Sequence, residues 1–229
     1  MSHATDILPE TTPTVAMIRT LGLIAAICGL IIVAAYQGTY AAVQENKRIA
    51  VERAVFKVIP AARSIGEYAA PPAGEPVKLG AGEAAPAGSI KFYTGYDEDG
   101  KLVGIAAEGM AKGYADNVRI LFAWDPEKTT VTGFGVVSSR ETPGIGDRIV
   151  ADKNFLANFP IEAKLSDDRM VLAHEIRAVK HGSKTNPWEI DAIAGATITS
   201  RAVGKAINDT AQNLLPRLAP KLDKLKEKQ

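Results

Sequence analysis

Residues 191–200 read Asp-Ala-Ile-Ala-Gly-Ala-Thr-Ile-Thr-Ser. They place Thr197 behind a Gly-Ala pair and just ahead of an amphipathic run. In that run Val203, Ala206, Ile207, Thr210, Ala211, Leu214 and Leu215 recur at helical spacing. A helix packed on a core is therefore predicted from about Ser200 toward Leu215, with Thr199 or Ser200 as its N-cap. Gly195 has no side chain to keep a ligand away from the backbone, and Ala196 keeps the local surface small. A threonine hydroxyl at such a point can carry a phosphate, because free N–H groups and the positive dipole end of a helix favour a bound anion. Asp191 is placed to bind backbone N–H groups in the turn or to orient the hydroxyl. The competing reading of Gly-Ala-Thr is an ordinary turn before a capped helix. Pro216 puts the last helical turns in question, and the charged tail Lys221–Gln229 is expected to fray.

Upstream, Ile90–Tyr96 and Lys101–Ala107 flank Asp97-Glu98-Asp99-Gly100, which is a hairpin signal. A second pair, Asn117–Trp124 and Thr130–Ser138, flanks a turn at Asp125-Pro126-Glu127-Lys128. Asp152–Phe159 is read as a short helix ended by Pro160, and Arg177–Lys180 as the start of a last strand. Hairpins packed with one or two helices imply an α+β domain. Residues 69–88 are rich in Pro, Gly and Ala and read as a loop or linker.

The N-terminal part is of another kind. From Leu21 to Tyr36 the chain is almost wholly apolar, and Val15–Ile18 and Gly38–Val43 bring it to the roughly 20 residues that span a bilayer. Tyr36 and Tyr40 stand where interfacial aromatics are expected, and Arg19 can snorkel to the headgroups. A cleaved signal peptide is the rival reading, with Val33-Ala34-Ala35 as cleavage site. The run is longer than most signal cores and has a poor basic region before it, so an uncleaved anchor is preferred. Residues 41–59 read as an amphipathic stalk helix ended by Pro60, with Val43, Ala50, Ala54 and Val58 on one face. Lys47, Arg48, Arg53 and Lys57 follow the span and only Arg19 precedes it. Counted alone, those charges would put the large domain in the cytoplasm. The organisation is thus an N-terminal tail (1–14), a transmembrane anchor (15–43), a stalk and linker (44–88), a compact domain (89–218) and a charged tail (219–229).

Composition removes several function classes. The net charge of +1 over 229 residues offers no field for nucleic acid. The single cysteine, Cys28, lies in the apolar run, so neither an intramolecular disulfide nor a multi-thiolate metal site can form. His3, His174 and His181 are too spread for a zinc site, and no metal is expected. No catalytic residue is assigned.

Residues 140–148, Arg-Glu-Thr-Pro-Gly-Ile-Gly-Asp-Arg, follow a predicted strand. Pro143 fixes φ, and Gly144 and Gly146 permit unusual backbone angles, so the loop can bring main-chain N–H groups to a planar ring or a phosphate. It is not a Walker loop, since no Gly-Lys-Ser/Thr follows, nor does a Gly-x-Gly-x-x-Gly open a helix. The loop Glu141-Thr142-Pro143-Gly144-Ile145-Gly146, the Asp191-to-Thr197 stretch and the N-terminal span all occur in the G subunit of the Rnf/Rsx membrane electron-transport complexes. The chain resembles that family over nearly its whole length, Gly113-Tyr114 included. The C subunit of the sodium-translocating NADH:quinone oxidoreductase is a close relative of the family.

The resemblance implies an FMN-binding domain carrying FMN covalently on Thr197 as a phosphoester, moved there from FAD by a separate flavin transferase. The cofactor-site residues it implies are Thr197, Ala196, Gly195, Ala194 and Asp191, with Thr142, Gly144, Gly146 and Glu141 from the loop. The family signature usually has Ser or Thr where this chain has Ala194. Lys180 and His181 are further candidates for approach to the phosphate. The implied protein is an electron-carrying, single-pass subunit of the inner membrane with its flavin domain on the periplasmic side. Its implied partners are the other membrane subunits of an ion-translocating complex. The alternatives are the quinone-oxidoreductase C subunit and a non-redox anchored interaction module whose two glycine segments are turns.

Overall fold

The computed structural model describes residues 14–80 and 83–226. The chain divides into two units, Met1–Lys47 and Arg48–Gln229. Helix α1, Thr14–Val58, passes from the first into the second. In the first unit every side chain from Thr14 to Asn46 is exposed, including Leu23, Ile24, Ile27, Leu30, Ile31 and Ile32. A helix apolar on all sides has no polar stripe to give to water. This one is long and apolar enough to cross a membrane.

The second unit is built on a seven-stranded antiparallel sheet. Its strands are β1 (Ser64–Ala70), β2 (Val77–Lys78), β3 (Ile90–Tyr96), β4 (Leu102–Lys112), β5 (Asn117–Asp125), β6 (Thr130–Ser138) and β7 (Ile161–Glu162), in the order β2-β1-β3-β4-β5-β6-β7. A parallel pair, β8 (Arg177–Val179) and β9 (Glu189–Asp191), stands apart from it. The other helices are α2 (Lys153–Leu156), α3 (Thr197–Leu218) and α4 (Leu222–Leu225).

Both predicted hairpins form, joined by the β4–β5 pairing in which Glu108 faces Leu121 and Lys112 faces Asn117. β5 shows why the middle of the sheet is apolar without strict alternation. Val118, Ile120, Phe122 and Trp124 enter the core beneath α3, while Leu121 and Ala123 pack on the other face against Val55, Val58, Ile59 and Ala62. A strand covered on both faces reads as a continuous hydrophobic run. α3 crosses β4 so closely that a Cβ on Gly109 would lie 2.5 Å from the Ala206 carbonyl oxygen.

Five expectations change. α3 begins at Thr197, and its N-cap is Ala196 rather than Thr199 or Ser200. Those two hydroxyls are buried inside the first turn, where other partners claim them. Pro216 does not end the helix, because burial of Leu214, Leu215 and Leu218 outweighs the one hydrogen bond it removes. The charged tail does not fray from Lys221: α4 buries Leu225, and the Lys226 carbonyl accepts from the Leu102 N–H at 3.1 Å. Residues 227–229 lie outside the described residues. The stretch 69–88 is not all loop. Ala69 and Ala70 end β1, and Arg217 donates to the carbonyls of Ala70 (3.1 Å) and Gly88 (3.2 Å), holding both ends of the segment. Arg177–Val179 is not the last strand either, since β9 follows and leads directly into the Thr197 segment.

Candidate functional site

β9 ends at Asp191, and the chain then makes a short turn before α3, closed by the Ala196 N–H donating to the Ile193 carbonyl at 3.0 Å. Gly195 is exposed at φ +85°, a left-handed conformation that only glycine adopts without strain, and nothing lies where its Cβ would be. Thr197 is the first residue of the helix and is half-buried. Its N-cap, Ala196, has no side-chain acceptor, so no capping side chain satisfies the first N–H groups of a 22-residue helix. Just inside, the Ser200 hydroxyl donates to the Ala196 carbonyl (2.9 Å) and accepts from the Ile193 N–H (3.1 Å), which fixes the turn from within.

The loop after β6 is fastened to this turn at two points. Glu141 is buried, and its Oε2 accepts from the Thr199 hydroxyl at 2.7 Å and from the Tyr114 N–H at 3.3 Å. Its Oε1 accepts from the N–H groups of Ala115 (3.1 Å) and Asp116 (3.4 Å). One carboxylate thus joins the β4–β5 turn, the loop and the first turn of α3. Burial alone would push the Glu141 carboxyl up. The Thr199 hydroxyl and the three backbone donors outweigh burial and hold it below the usual carboxylate range. Gly146 and Gly113 close around it: a Cβ on Gly146 would come within 2.7 Å of the Glu141 Cβ, and one on Gly113 would overlap its Oε1.

At the second point Arg148, in the 3-10 turn Gly146–Val150, donates to the Ala194 carbonyl at 3.2 Å and to Asp152 Oδ2 at 2.8 Å. The contact at position 194 is made by backbone and does not depend on a side-chain hydroxyl. Thr142 and Gly144 are exposed, with Gly144 at φ +75°, and the Thr142 carbonyl accepts from the N–H groups of Ile145 and Gly146.

Asp191 points elsewhere. Its Oδ1 accepts from the Gly182 N–H at 2.7 Å and its Oδ2 lies 3.3 Å from His181 Nδ1, while that nitrogen also sits 3.0 Å from the Ala192 carbonyl. Asp191 therefore holds the turn between β8 and β9. Asn158 supports it by bonding both the N–H (2.8 Å) and the carbonyl (3.2 Å) of Asp191. Lys180 is exposed. Arg148, Asn158 and Thr199 in its role as a donor support the candidate site, and sequence reasoning misses them. Arg148 stands inside the quoted loop, but nothing in the sequence says which carbonyl it reaches.

Three large apolar side chains are exposed next to the clamp: Tyr114 (70% exposed), Ile145 (52%) and Ile198 (50%). Each neighbours a residue that touches Glu141 or itself donates to it. A half-buried hydroxyl, uncapped helix N–H groups and exposed apolar side chains on three segments joined by one carboxylate suit a ligand with one anionic end and one flat apolar end.

Residues 113–212 match the model of the FMN-binding domain. That stretch runs from the Gly113 turn to the middle of α3 and contains both motif segments. The chain is also 30% identical over 149 residues to the G subunit of the Na(+)-translocating ferredoxin:NAD(+) oxidoreductase complex of Acetobacterium woodii, covering 64% of this chain and 66% of that one. It is 34% identical over 129 residues to the G subunit of the ion-translocating oxidoreductase complex of Vibrio vulnificus, covering 55% and 56%. The chain spans about half to two thirds of the length of such relatives. Among solved structures it shares the fold of Shewanella oneidensis NqrC, with a TM-score of 0.62 at 20% identity, over 80% of this chain and 99% of that one. The matched stretch therefore lies in an α+β fold of the NqrC type, and the same chain carries a helix long and apolar enough to cross a membrane.

Proposed function

We propose that this protein is a membrane-anchored electron carrier with FMN linked covalently to Thr197, working within an ion-translocating oxidoreductase complex of the Rnf type. The observation that carries the reading is Thr197 at the uncapped N-terminus of α3, inside the stretch that matches the FMN-binding domain model. In the attachment step the Thr197 Oγ bonds to the riboflavin-side phosphorus of FAD. The pyrophosphate bond breaks, AMP leaves and the hydroxyl proton is released. A separate flavin transferase supplies that chemistry.

When bound, FMN supplies the redox chemistry. The residues of this chain bind and orient it. The N–H groups at the start of α3 receive the phosphate, with Ala196, Gly195 and Ala194 forming the open turn around it. Tyr114, Ile145 and Ile198 offer apolar surface to the ring, and Thr142, Gly144 and Gly146 shape the loop beside it. Asp191 braces the neighbouring β8–β9 turn and takes no part in holding the phosphate. The flavin domain lies on the periplasmic side of the inner membrane, and the partners are the other membrane subunits of the complex. The relatives near 30% identity are G subunits, which favours the Rnf-type reading over the quinone-oxidoreductase C subunit. The test is direct. Wild-type protein co-produced with an active flavin transferase gives a band on a denaturing gel that fluoresces under ultraviolet light, and Thr197→Ala removes it. A colourless wild type refutes the reading.

A further inference from the structure

Glu141 is an unusual group. It is 8% exposed, and all four hydrogen bonds to its carboxylate come from neutral donors, the Thr199 hydroxyl and the N–H groups of Tyr114, Ala115 and Asp116. Among the described residues no Lys, Arg or His pairs with it. Its neighbour Arg140 turns to Asp116 at 3.9 Å, and Arg148 pairs with Asp152. A buried carboxylate ordinarily needs a cation to offset its lost hydration. Here four hydrogen bonds satisfy its lone pairs without a cationic partner, so the site keeps a net negative charge. Gly113 and Gly146 lie so close to it that a Cβ on either would overlap its side chain. The charge also bonds to Thr199, two residues from Thr197 on the same helical turn, and to the N–H of Tyr114.

We propose that Glu141 acts as a fixed negative charge without a cationic partner that lowers the reduction potential of the flavin held at Thr197. The inference rests on the FMN reading above. Where the ring takes up two electrons with one proton, reduction leaves it one unit more negative, and a nearby anion disfavours that added charge. A carboxylate only 8% exposed is screened less than a fully solvated one. Glu141 is then a positioning residue for α3 and, separately, an electrostatic one for the ring. The second role makes a demand that a purely structural clamp does not.

The test uses the full-length chain in detergent, loaded by a flavin transferase, with loading read by intact mass, folding by circular dichroism and the midpoint by dithionite titration with mediator dyes. Glu141→Gln removes the charge at nearly constant shape, and we expect the equilibrium to move about tenfold toward reduced flavin, ~30 mV for a two-electron couple. Thr199→Val loosens the same clamp but keeps the charge and removes its hydroxyl donor, so it moves the equilibrium at least about twofold the other way. Opposite shifts support the inference. An unshifted E141Q, or shifts of the same sign in both variants, overturns it. If E141Q does not fold, T199V decides alone: a shift toward oxidised flavin supports the inference, and no shift or the reverse overturns it. A wild-type chain that gains no FMN mass refutes the functional reading instead.

Discussion

The Thr199 hydroxyl donates to the Glu141 carboxylate at 2.7 Å, joining residues 58 positions apart in the sequence. Through that bond the loop after β6 is tied to the first turn of α3 and so to Thr197. Thr199→Val should therefore weaken the fold as well as the site. A hydrogen bond to a charged group contributes about 1.5–3 kcal/mol, so a loss of ~2 kcal/mol is expected. In a domain of this size that lowers the melting temperature by roughly 4–8 °C. Thermal melts followed by circular dichroism check it. Thr199→Ser, which keeps the hydroxyl, should recover most of the loss.

Thr197 has a different profile. Its hydroxyl has no hydrogen-bond partner among the described residues, so Thr197→Ala should leave the melting temperature almost unchanged while abolishing covalent flavin, as read by intact mass. Thr197→Ser should retain some attachment. Ala194→Ser, at an exposed position where only the carbonyl is engaged by Arg148, should leave loading nearly as it is. A large gain would show that the hydroxyl takes part in transfer.

Two glycines in one loop should differ. At Gly146 a Cβ meets the Glu141 Cβ and Oε2 at 2.7 Å, so Gly146→Ala must displace the clamp. Overpacking of that kind costs about 1–3 kcal/mol. At Gly144 the space is open and only the φ of +75° opposes a side chain. Gly144→Ala should therefore cost about 1 kcal/mol. Urea denaturation of both variants separates the cases, and the order reverses if Gly146 is merely a hinge.

Acid should unfold the second unit partly through Glu189. Its buried carboxylate accepts from the N–H groups of Thr185 and Asn186 and from Arg177, and is pushed down to about 2 from an ordinary 4.5. The backbone donation from Thr185 leads, and burial opposes it. Because the folded value lies below the unfolded one, the stabilisation is complete above about pH 4.5 and is lost as pH falls toward 2. Glu189→Gln should flatten that limb of the stability–pH curve while lowering stability at neutral pH. Urea midpoints across the acid range would show this.

The anchor can be tested by removal. A chain starting at Arg48 keeps Val51, Val55, Val58 and Ile59, which cover one face of the sheet, and lacks the exposed apolar residues of the first unit. It should fold and partition into water in a detergent phase-separation assay, while the full chain goes to the detergent phase. Protease added to spheroplasts should degrade the second unit if it lies on the periplasmic side.

The local features are legible in the sequence. β3, β5 and β6 follow from apolar runs between turn residues, and the apolar run of α1 follows from composition, because each depends on neighbours within a few positions. The start of α3 lies three residues before the point its hydroxyls suggest. Thr199 and Ser200 look like caps, and only the folded chain shows them engaged by Glu141 and by the backbone of Ile193 and Ala196. The β1 strand is hidden by the prolines and glycines that follow it.

By itself, the sequence determined the α+β class, the membrane-compatible helix and the two segments of the candidate site, since periodicity and special backbone residues are written along the chain. Only the tertiary structure decided what those segments do to each other. It turned Asp191 away to the β8–β9 turn, brought Arg148 to the Ala194 carbonyl, and made Glu141 the buried centre of three segments. Those outcomes depend on which donors converge on a carboxylate across long loops, and hydrogen-bond partners distant in sequence leave no periodic trace in it.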